Sequence, residues 1–179
     1  PSFVSVKVDN ITYGDKAVIE VTVPADAAGN VTVTIGGKSY TENVSSARAL
    51  LIVAGLGAGN YTVNVTYNGD VKYASGSNFT NLEVSKAKTS IKVIDNGNGN
   101  VIVVVSDNVH ANVTIKSGNN IYDAVGEDSI AIIDLVNETP GVHDIEVFCA
   151  GDENHTAAYA NASITINKIK TQITANAKS

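Results

Sequence analysis

The chain alternates apolar and polar residues in short runs that are separated by glycine, asparagine and aspartate. The clearest run lies between two glycine turns in the segment Gly57–Asp70, where every second residue from Tyr61 to Tyr67 is apolar. A period of two is typical of a β-strand that buries one face. The pattern therefore predicts β-strands rather than helices.

Seven such strands are predicted in each half of the chain. In the first half they are Phe3–Val8, Ala17–Val23, Asn30–Ile35, Lys38–Val44, Ala47–Val53, the run within Gly57–Asp70, and Phe79–Val84. In the second half they are Ile91–Ile94, Val101–Ser106, Ala111–Ile115, Ile121–Val125, Ile130–Val136, His143–Phe148 and Ala162–Ile166. Short strands with turn signals every 8–12 residues are typical of an immunoglobulin-like sandwich.

The two halves are copies of one module. Moving 82 residues along the chain aligns Asn30 with Asn112, Tyr40 with Tyr122, and residues 69–70 with 151–152 without a gap. The repeat predicts an all-β protein of two tandem seven-stranded immunoglobulin-like β-sandwiches arranged end to end, at residues 1–86 and 87–168. A pull on the two ends of such a module is expected to shear its first and last strands.

The junction motif Lys86–Ile91 recurs at Lys168–Ile173. Residues 169–179 are therefore expected to begin a third repeat or to form a disordered tail. The chain opens without Met and closes inside the repeating pattern, so we expect it to be a piece of a longer protein whose export signal and anchor lie elsewhere.

Charge argues against a nucleic-acid partner. The chain carries 18 acidic and 12 basic residues, a net charge of −6, whereas phosphate binding requires clustered Lys and Arg. With a single cysteine no internal disulfide can form. Because no apolar run of about 18 residues occurs, membrane insertion within this sequence is not expected.

Ten Asn-X-Ser/Thr motifs mark possible glycosylation sites. They begin at Asn10, Asn30, Asn43, Asn60, Asn64, Asn78, Asn112, Asn137, Asn154 and Asn161. A glycosylated surface protein explains them. The alternative is that Asn-Val-Thr is simple polar and apolar strand alternation.

A group of acidic residues around a turn is a candidate metal site. Asp123, Glu127, Asp128 and Asp134 could supply carboxylates to calcium, although a solvated acidic loop is the default interpretation. No cofactor is otherwise expected. The segment Asp95–Asn100 lacks the ligand spacing of a calcium loop and is expected to be a hairpin turn.

No catalytic constellation is apparent, so an enzyme is not expected. His143 and Cys149 share a strand face, but at about 3.3 Å per residue they stand roughly 20 Å apart, too far to share one ion or proton. Cys149 is expected to occupy the buried position of Tyr67 as a small hydrophobic residue. His143 is expected to replace the hydroxyl contact of Tyr61 with nearby backbone.

The sequence resembles the immunoglobulin-like (bacterial Ig-like type) tandem repeats of adhesin-like cell-surface proteins of methanogenic archaea. The resemblance rests on Val18–Pro24, Gly29–Ile35, Leu56–Asp70 and Tyr73, and it is looser in the second module, which has His143, Cys149 and His155 at the aromatic positions. It implies an extracellular, cell-surface or cell-wall location and a role in adhesion. It implies no catalytic residues.

These observations favour structural stalk or spacer modules that project a distal binding region for cell adhesion. The partners would be neighbouring modules of the same parent protein and, at the distal end, glycans or proteins on other cells. The alternative is a module that binds carbohydrate or a surface protein through its loops, with Tyr13 and Tyr73 as contact residues.

Overall fold

The computed structural model describes residues 3–106, 109–110 and 112–168. Contacts divide them into two compact units. The first runs up to Ala87 and includes Glu153–His155, and the second runs from Lys88 to Asp152 and continues from Thr156. The predicted domain boundaries and the end-to-end arrangement stay predictions, and the predicted start of a third repeat at 169–179 lies outside the described residues.

Unit 1 is a sandwich of two β-sheets whose strands are mainly antiparallel. Its strands are β1 Ser5–Lys7, β2 Ile11–Thr12, β3 Ala17–Thr22, β4 Asn30–Ile35, β5 Lys38–Asn43, β6 Arg48–Val53, β7 Gly59–Tyr67 and β8 Gly76–Ser85. One sheet has the order β1-β3-β6 and the other β2-β8-β7-β4-β5. The all-β sandwich fold is thus as predicted.

Unit 2 repeats this plan. Its strands are β9 Ile91–Asp95, β10 Asn100–Val105, β11 Asn112–Ser117, β12 Asn120–Val125, β13 Ile130–Asp134, β14 Gly141–Cys149 and β15 Ala158–Ile166. They form a sheet of order β13-β10-β9 and a sheet of order β12-β11-β14-β15. The segment Asp95–Asn100 is the turn of the β9–β10 hairpin, as the sequence predicted.

The alternation of apolar and polar residues in the sequence matches the alternation of buried and exposed residues along the strands. In β3, β4 and β10 every second residue is fully or nearly fully buried, and Val or Ile fills most of these positions. Burying one such side chain stabilises the fold by about 1.5–3 kcal/mol. Each unit has its own apolar core between its two sheets.

The first strand differs from the prediction. The segment predicted as one strand, Phe3–Val8, is β1, which pairs with β3, and a separate two-residue strand, β2, pairs in parallel with β8. The strand pairing with the last strand of unit 1 is therefore made by Ile11–Thr12 and not by the predicted first strand. The last strands also begin earlier than predicted, at Gly76 and Ala158.

Candidate functional site

One aspartate fastens two loops of unit 1 together. The Asp70 carboxylate accepts hydrogen bonds from the backbone N–H groups of Ala28, Lys72 and Tyr73, each at 2.7 Å. The N–H group of Ala28, followed by that of Tyr73, holds the pKa of the Asp70 carboxyl well below its usual range. An ionised acceptor thus bridges the β3–β4 and β7–β8 loops.

The same two loops approach each other at glycines. A Cβ on Gly29 would lie 2.9 Å from the carbonyl oxygen of Gly69, and both residues have a φ of +84°. Only glycine tolerates this combination of left-handed backbone and close approach. The loop pair is therefore built as a fixed structure rather than as a mobile binding loop.

Asp26 adds a second tie between these loops. It forms an ion pair with Lys72 and accepts a hydrogen bond from the Tyr73 hydroxyl at 2.5 Å. The Lys72 ammonium, followed by the Tyr73 hydroxyl, lowers the pKa of the Asp26 carboxyl, and Asp26 in turn raises the pKa of Lys72. Phe3 packs on the ring of Tyr73 with 6.1 Å between centroids. Tyr73, a predicted ligand contact, is therefore held on both its hydroxyl and its ring by the chain itself.

Tyr67 lies fully buried beneath this loop pair. Its hydroxyl donates to the carbonyl oxygen of Ala28 at 2.8 Å, and burial raises its pKa to about 12. At the aligned position of unit 2 Cys149 is also fully buried, as a free thiol. The prediction that Cys149 fills this position as a small hydrophobic residue is confirmed.

The predicted replacement of Tyr61 by His143 is also confirmed. The Tyr61 hydroxyl donates to the carbonyl oxygen of Gly57 at 2.9 Å. In unit 2, Nε2 of His143 lies 2.6 Å from the carbonyl oxygen of Thr139, which aligns with Gly57. The side chains differ, but the backbone contact at the start of the strand is the same. This contact belongs to the fold.

A buried polar cluster in unit 2 was missed by the sequence analysis. The side chain of Glu138 is only 8% exposed, and it accepts hydrogen bonds from Asn120 Nδ2 at 2.9 Å and from the Tyr122 hydroxyl at 3.1 Å. Nδ1 of His143, 18% exposed, lies 3.2 Å from the carboxylate. The Asn120 hydrogen bond, ahead of further bonds from Ser117 and Tyr122, lowers the pKa of Glu138, while burial, followed by Glu138, raises the pKa of Tyr122.

His143 links the buried carboxylate to the backbone. Its two ring nitrogens face two acceptors, the carbonyl oxygen of Thr139 and the Glu138 carboxylate. The arrangement is a carboxylate–histidine contact that lies between the β11–β12 hairpin and the start of β14.

One sequence signal could have found this cluster. Glu138 occupies the aligned position of Leu56, an apolar residue that packs against the core of unit 1. A carboxylate at an apolar position of the repeat indicates either exposure or a compensating donor set. The segment Asn137–Pro140 reads as a polar turn, and this masked the signal.

The predicted acidic group does not gather into a metal site. The Asp123 carboxylate lies on the outer face of β12 and accepts a hydrogen bond from the Thr114 hydroxyl at 2.6 Å. Glu127 and Asp128 lie in the turn that leads to β13. Among the described residues no three His, Cys, Asp or Glu side chains are close enough together to hold a metal ion.

Tyr13, the other predicted ligand contact, is half-buried and packs against the core of unit 1. Its backbone N–H donates to the carbonyl oxygen of Ser85 at 2.8 Å, which extends the β2–β8 pairing by one hydrogen bond. Tyr13 therefore has a structural role at the contact between the first and last strands.

The ten glycosylation motifs lie in different environments. Asn78 is half-buried and its Nδ2 donates to the carbonyl oxygen of Val4 at 2.7 Å, while Asn30 is half-buried and accepts from Asn68 at 2.5 Å. Asn154 is also half-buried. The exposed members are Asn10, Asn43, Asn60, Asn64, Asn112, Asn137 and Asn161.

Comparison with solved structures shows the fold. A two-domain fibronectin type III segment of chicken tenascin matches with a TM-score of 0.56 and 13% identity, covering 90% of this chain and 97% of that one. The fibronectin(III)-like modules of Clostridium thermocellum CbhA match at 12% identity over 97% and 100% of the two chains, with a TM-score of 0.38. The titin segment A168169 matches at 13% identity over 92% and 99%, with a TM-score of 0.42.

No family model matches the chain, and no curated protein matches it by sequence. Among the described residues no helix has the length and apolar character that a membrane crossing requires. The chain is thus similar to tandem fibronectin-III and immunoglobulin-like modules at the level of fold.

Proposed function

We propose that the chain is a pair of structural spacer modules of an extracellular adhesin-like protein, of the kind found on methanogenic archaea, which projects a distal binding region for cell adhesion. The observation that carries the proposal is that the two units repeat their cores much more closely than their exposed faces. A binding or catalytic site shared by repeats would be expected to repeat its exposed polar groups.

The repeated part is apolar and internal. Val31 and Val33 of unit 1 align with Val113 and Ile115 of unit 2, and all four are buried in the sandwich interior. Most exposed pairs differ, although Asn30 and Thr32 recur as Asn112 and Thr114. Thr66 and Ser77 join their hydroxyls at 3.0 Å on the outer face of unit 1, whereas the aligned pair in unit 2 is two stacked aromatic residues.

The first and last strands of unit 1 suit a module under tension. In β2 and β8, Ile11 lies opposite Val84 and Thr12 opposite Ser85 in parallel register. A pull on the two ends of the unit drives parallel strands in opposite directions along their length. The hydrogen bonds between them are then loaded together, because a pull along the strands is shared by every bond that joins them.

The loop-binding alternative finds no support in the contacts. Tyr73 is bonded to Asp26 and packed on Phe3, and Tyr13 packs against the core. Neither side chain is free to change partners without loosening the unit. The spacer account also includes no catalytic activity and no bound cofactor.

Single-molecule force spectroscopy of the whole chain tests the spacer proposal. Tyr13→Pro removes the N–H group that donates to Ser85, in the turn that directly follows the edge strand β2. We expect unit 1 to unfold at a clearly lower force in this variant. Tyr13→Ala is the matched control, because it keeps the N–H group. Equal unfolding forces for wild type and Tyr13→Pro would contradict the proposed force path.

A further inference from the structure

The outer faces of the larger sheets carry exposed aromatic side chains beside glycosylation motifs. In unit 1, Phe79 is 64% exposed and lies directly opposite Asn64 in the β7–β8 pair. In unit 2, Tyr159 is 80% exposed and lies two residues before Asn161 on the same face of β15. Different residues thus produce the same juxtaposition in the two units.

The geometry places each ring within reach of the first sugar on its asparagine. Side chains directly opposite each other in an antiparallel pair have Cβ atoms about 4.5–5.5 Å apart. Residues i and i+2 of a strand lie about 6.6 Å apart on one face. A six-membered sugar ring on Asn64 or Asn161 spans either distance and would lie flat on the neighbouring aromatic ring.

Tyr159 is held in position for such a contact. Its ring stacks on Phe148, its direct cross-strand neighbour, with 4.7 Å between centroids and a 34° tilt. Phe148 is half-buried, so it supports one side of Tyr159 and leaves the other side open. A preorganised aromatic surface binds at a lower entropic cost than a mobile one.

We propose that Asn64 and Asn161 are glycan acceptors and that Phe79 and Tyr159 dock the first sugar of each attached glycan. The carboxamide nitrogen forms a bond to the anomeric carbon of a lipid-phosphate-linked oligosaccharide supplied by a membrane transferase. The bond from that carbon to the phosphate oxygen breaks, the lipid phosphate leaves with the electron pair, and the amide loses one proton to solvent. No group is oxidised or reduced.

The docked sugar covers apolar surface that the chain leaves in water. The C–H groups on one face of a pyranose are apolar, and its hydroxyl groups point outward from the edge. Near Asn161 the exposed carboxylates of Asp144 and Glu146 can accept hydrogen bonds from these hydroxyls. The glycan would stabilise its module and keep the sheet face soluble, a role that rests on the extracellular location proposed above.

Asn60 provides a matched control. It is exposed and lies on the same face of β7 as Asn64, but its cross-strand neighbour is Glu83 instead of an aromatic residue. A sugar on Asn60 therefore has no ring to stack on. Attachment without docking is expected to leave the stability of unit 1 unchanged.

The test uses the full chain, secreted from a host that attaches N-acetylglucosamine-initiated glycans at Asn-X-Ser/Thr. Mass spectrometry of glycopeptides measures occupancy at the ten motifs, and calorimetry measures the melting temperature of each unit. We expect Asn161 and Asn64 to be occupied. Asn161→Gln should lower the melting temperature of unit 2 by about 4 °C, as expected for one aromatic stacking contact in a small module.

The docking claim depends on the aromatic background. When Asn161→Gln is introduced into the Tyr159→Thr variant, the melting temperature of unit 2 should not fall further. When Asn64→Gln is introduced into the Phe79→Thr variant, the melting temperature of unit 1 should not fall further. Trimming the glycans to a single sugar should retain the stabilisation. Equal shifts in the two backgrounds, a shift for Asn60→Gln as large as that for Asn64→Gln, or unoccupied Asn64 and Asn161 would overturn the inference.

Failure of this inference is separable from failure of the spacer proposal. Subcellular fractionation of the source cells tests the extracellular location, independently of any ring. If the chain is at the cell surface but its glycans are insensitive to Phe79 and Tyr159, only the docking inference fails. If it resides inside the cell, the location fails, and with it the glycosylated role inferred here.

Discussion

The buried carboxylate of unit 2 gives the sharpest test of how this module is stabilised. Glu138→Leu introduces the residue that unit 1 has at the aligned position, Leu56. It removes the acceptor for Asn120 and for the Tyr122 hydroxyl, and it removes the carboxylate that lies 3.2 Å from Nδ1 of His143. We expect a loss of stability even though the new residue is apolar.

The magnitude follows from the contacts. Two donors left unsatisfied cost about 1–3 kcal/mol each, and a buried leucine recovers about 1.5–3 kcal/mol. The net cost is about 2 kcal/mol at neutral pH. For a module of this size the melting temperature of unit 2 should fall by about 10 °C, since about 1 kcal/mol corresponds to 4–8 °C.

A double-mutant cycle gives this prediction its specificity. His143→Tyr alone should cost about 2 kcal/mol because it removes a hydrogen-bonding partner of a mostly buried carboxylate. The double variant Glu138→Leu/His143→Tyr reproduces the Leu56–Tyr61 arrangement of unit 1, with a hydroxyl donating to Thr139. It should cost less than the sum of the single variants by about 2 kcal/mol, within the range for residues in contact.

Calorimetry of the full chain measures these values, and hydrogen exchange of peptides from β13 and β14 assigns the transition to unit 2. Glu146→Leu is the control. It replaces an exposed carboxylate of the same sheet, paired at 3.8 Å with Lys116, and should change stability by less than about 0.5 kcal/mol. Additive single variants, or a Glu138→Leu variant as stable as wild type, would refute the reasoning.

Three further predictions concern pH and packing. Because the folded-state pKa of Asp70 is depressed, its contribution is present above the ordinary carboxyl pKa and lost as pH falls through the depressed value; acid unfolding of unit 1 should therefore lose part of its pH dependence in Asp70→Asn, as followed by circular dichroism. The pKa of Tyr67 is raised to about 12, so its contribution should be lost as pH rises from about 10 to about 12. Ultraviolet titration should show late-ionising phenols, and Tyr67→Phe should remove one of them. Leu82→Ala and Ile164→Ala truncate aligned core side chains, and each should lower the free energy of unfolding of its unit by about 3 kcal/mol. Hydrogen exchange should be faster only in unit 1 for Leu82→Ala and only in unit 2 for Ile164→Ala. Faster exchange in both units for either variant would contradict separate cores.

The sequence was sufficient to predict the sandwich and its repeated positions. Strand alternation predicted the fold, because a sheet with one buried face imposes a period of two on its residues. The 82-residue offset also predicted two contacts of unlike side chains. Cys149 lies where Tyr67 lies, and His143 meets the same backbone carbonyl as Tyr61.

The remaining features depend on contacts between distant segments. Glu138 bonds to Asn120 and Tyr122, which lie 18 and 16 residues away on a hairpin, and Asp26 pairs with Lys72 across 46 residues. A local pattern shows Glu138, Asp26 and Lys72 only as polar loop positions and Tyr122 only as a strand residue. The two-residue strand β2 is too short for periodicity to detect.

The central claim is that these modules separate other parts of a surface protein and bind no ligand of their own. Binding of the whole chain to a glycan array and to intact partner cells, with and without calcium, tests it most directly. The account predicts no specific binding under either condition. Specific binding that is lost in Tyr73→Ala or Asp123→Ala would contradict it and would locate a ligand site on a loop or on the acidic sheet face.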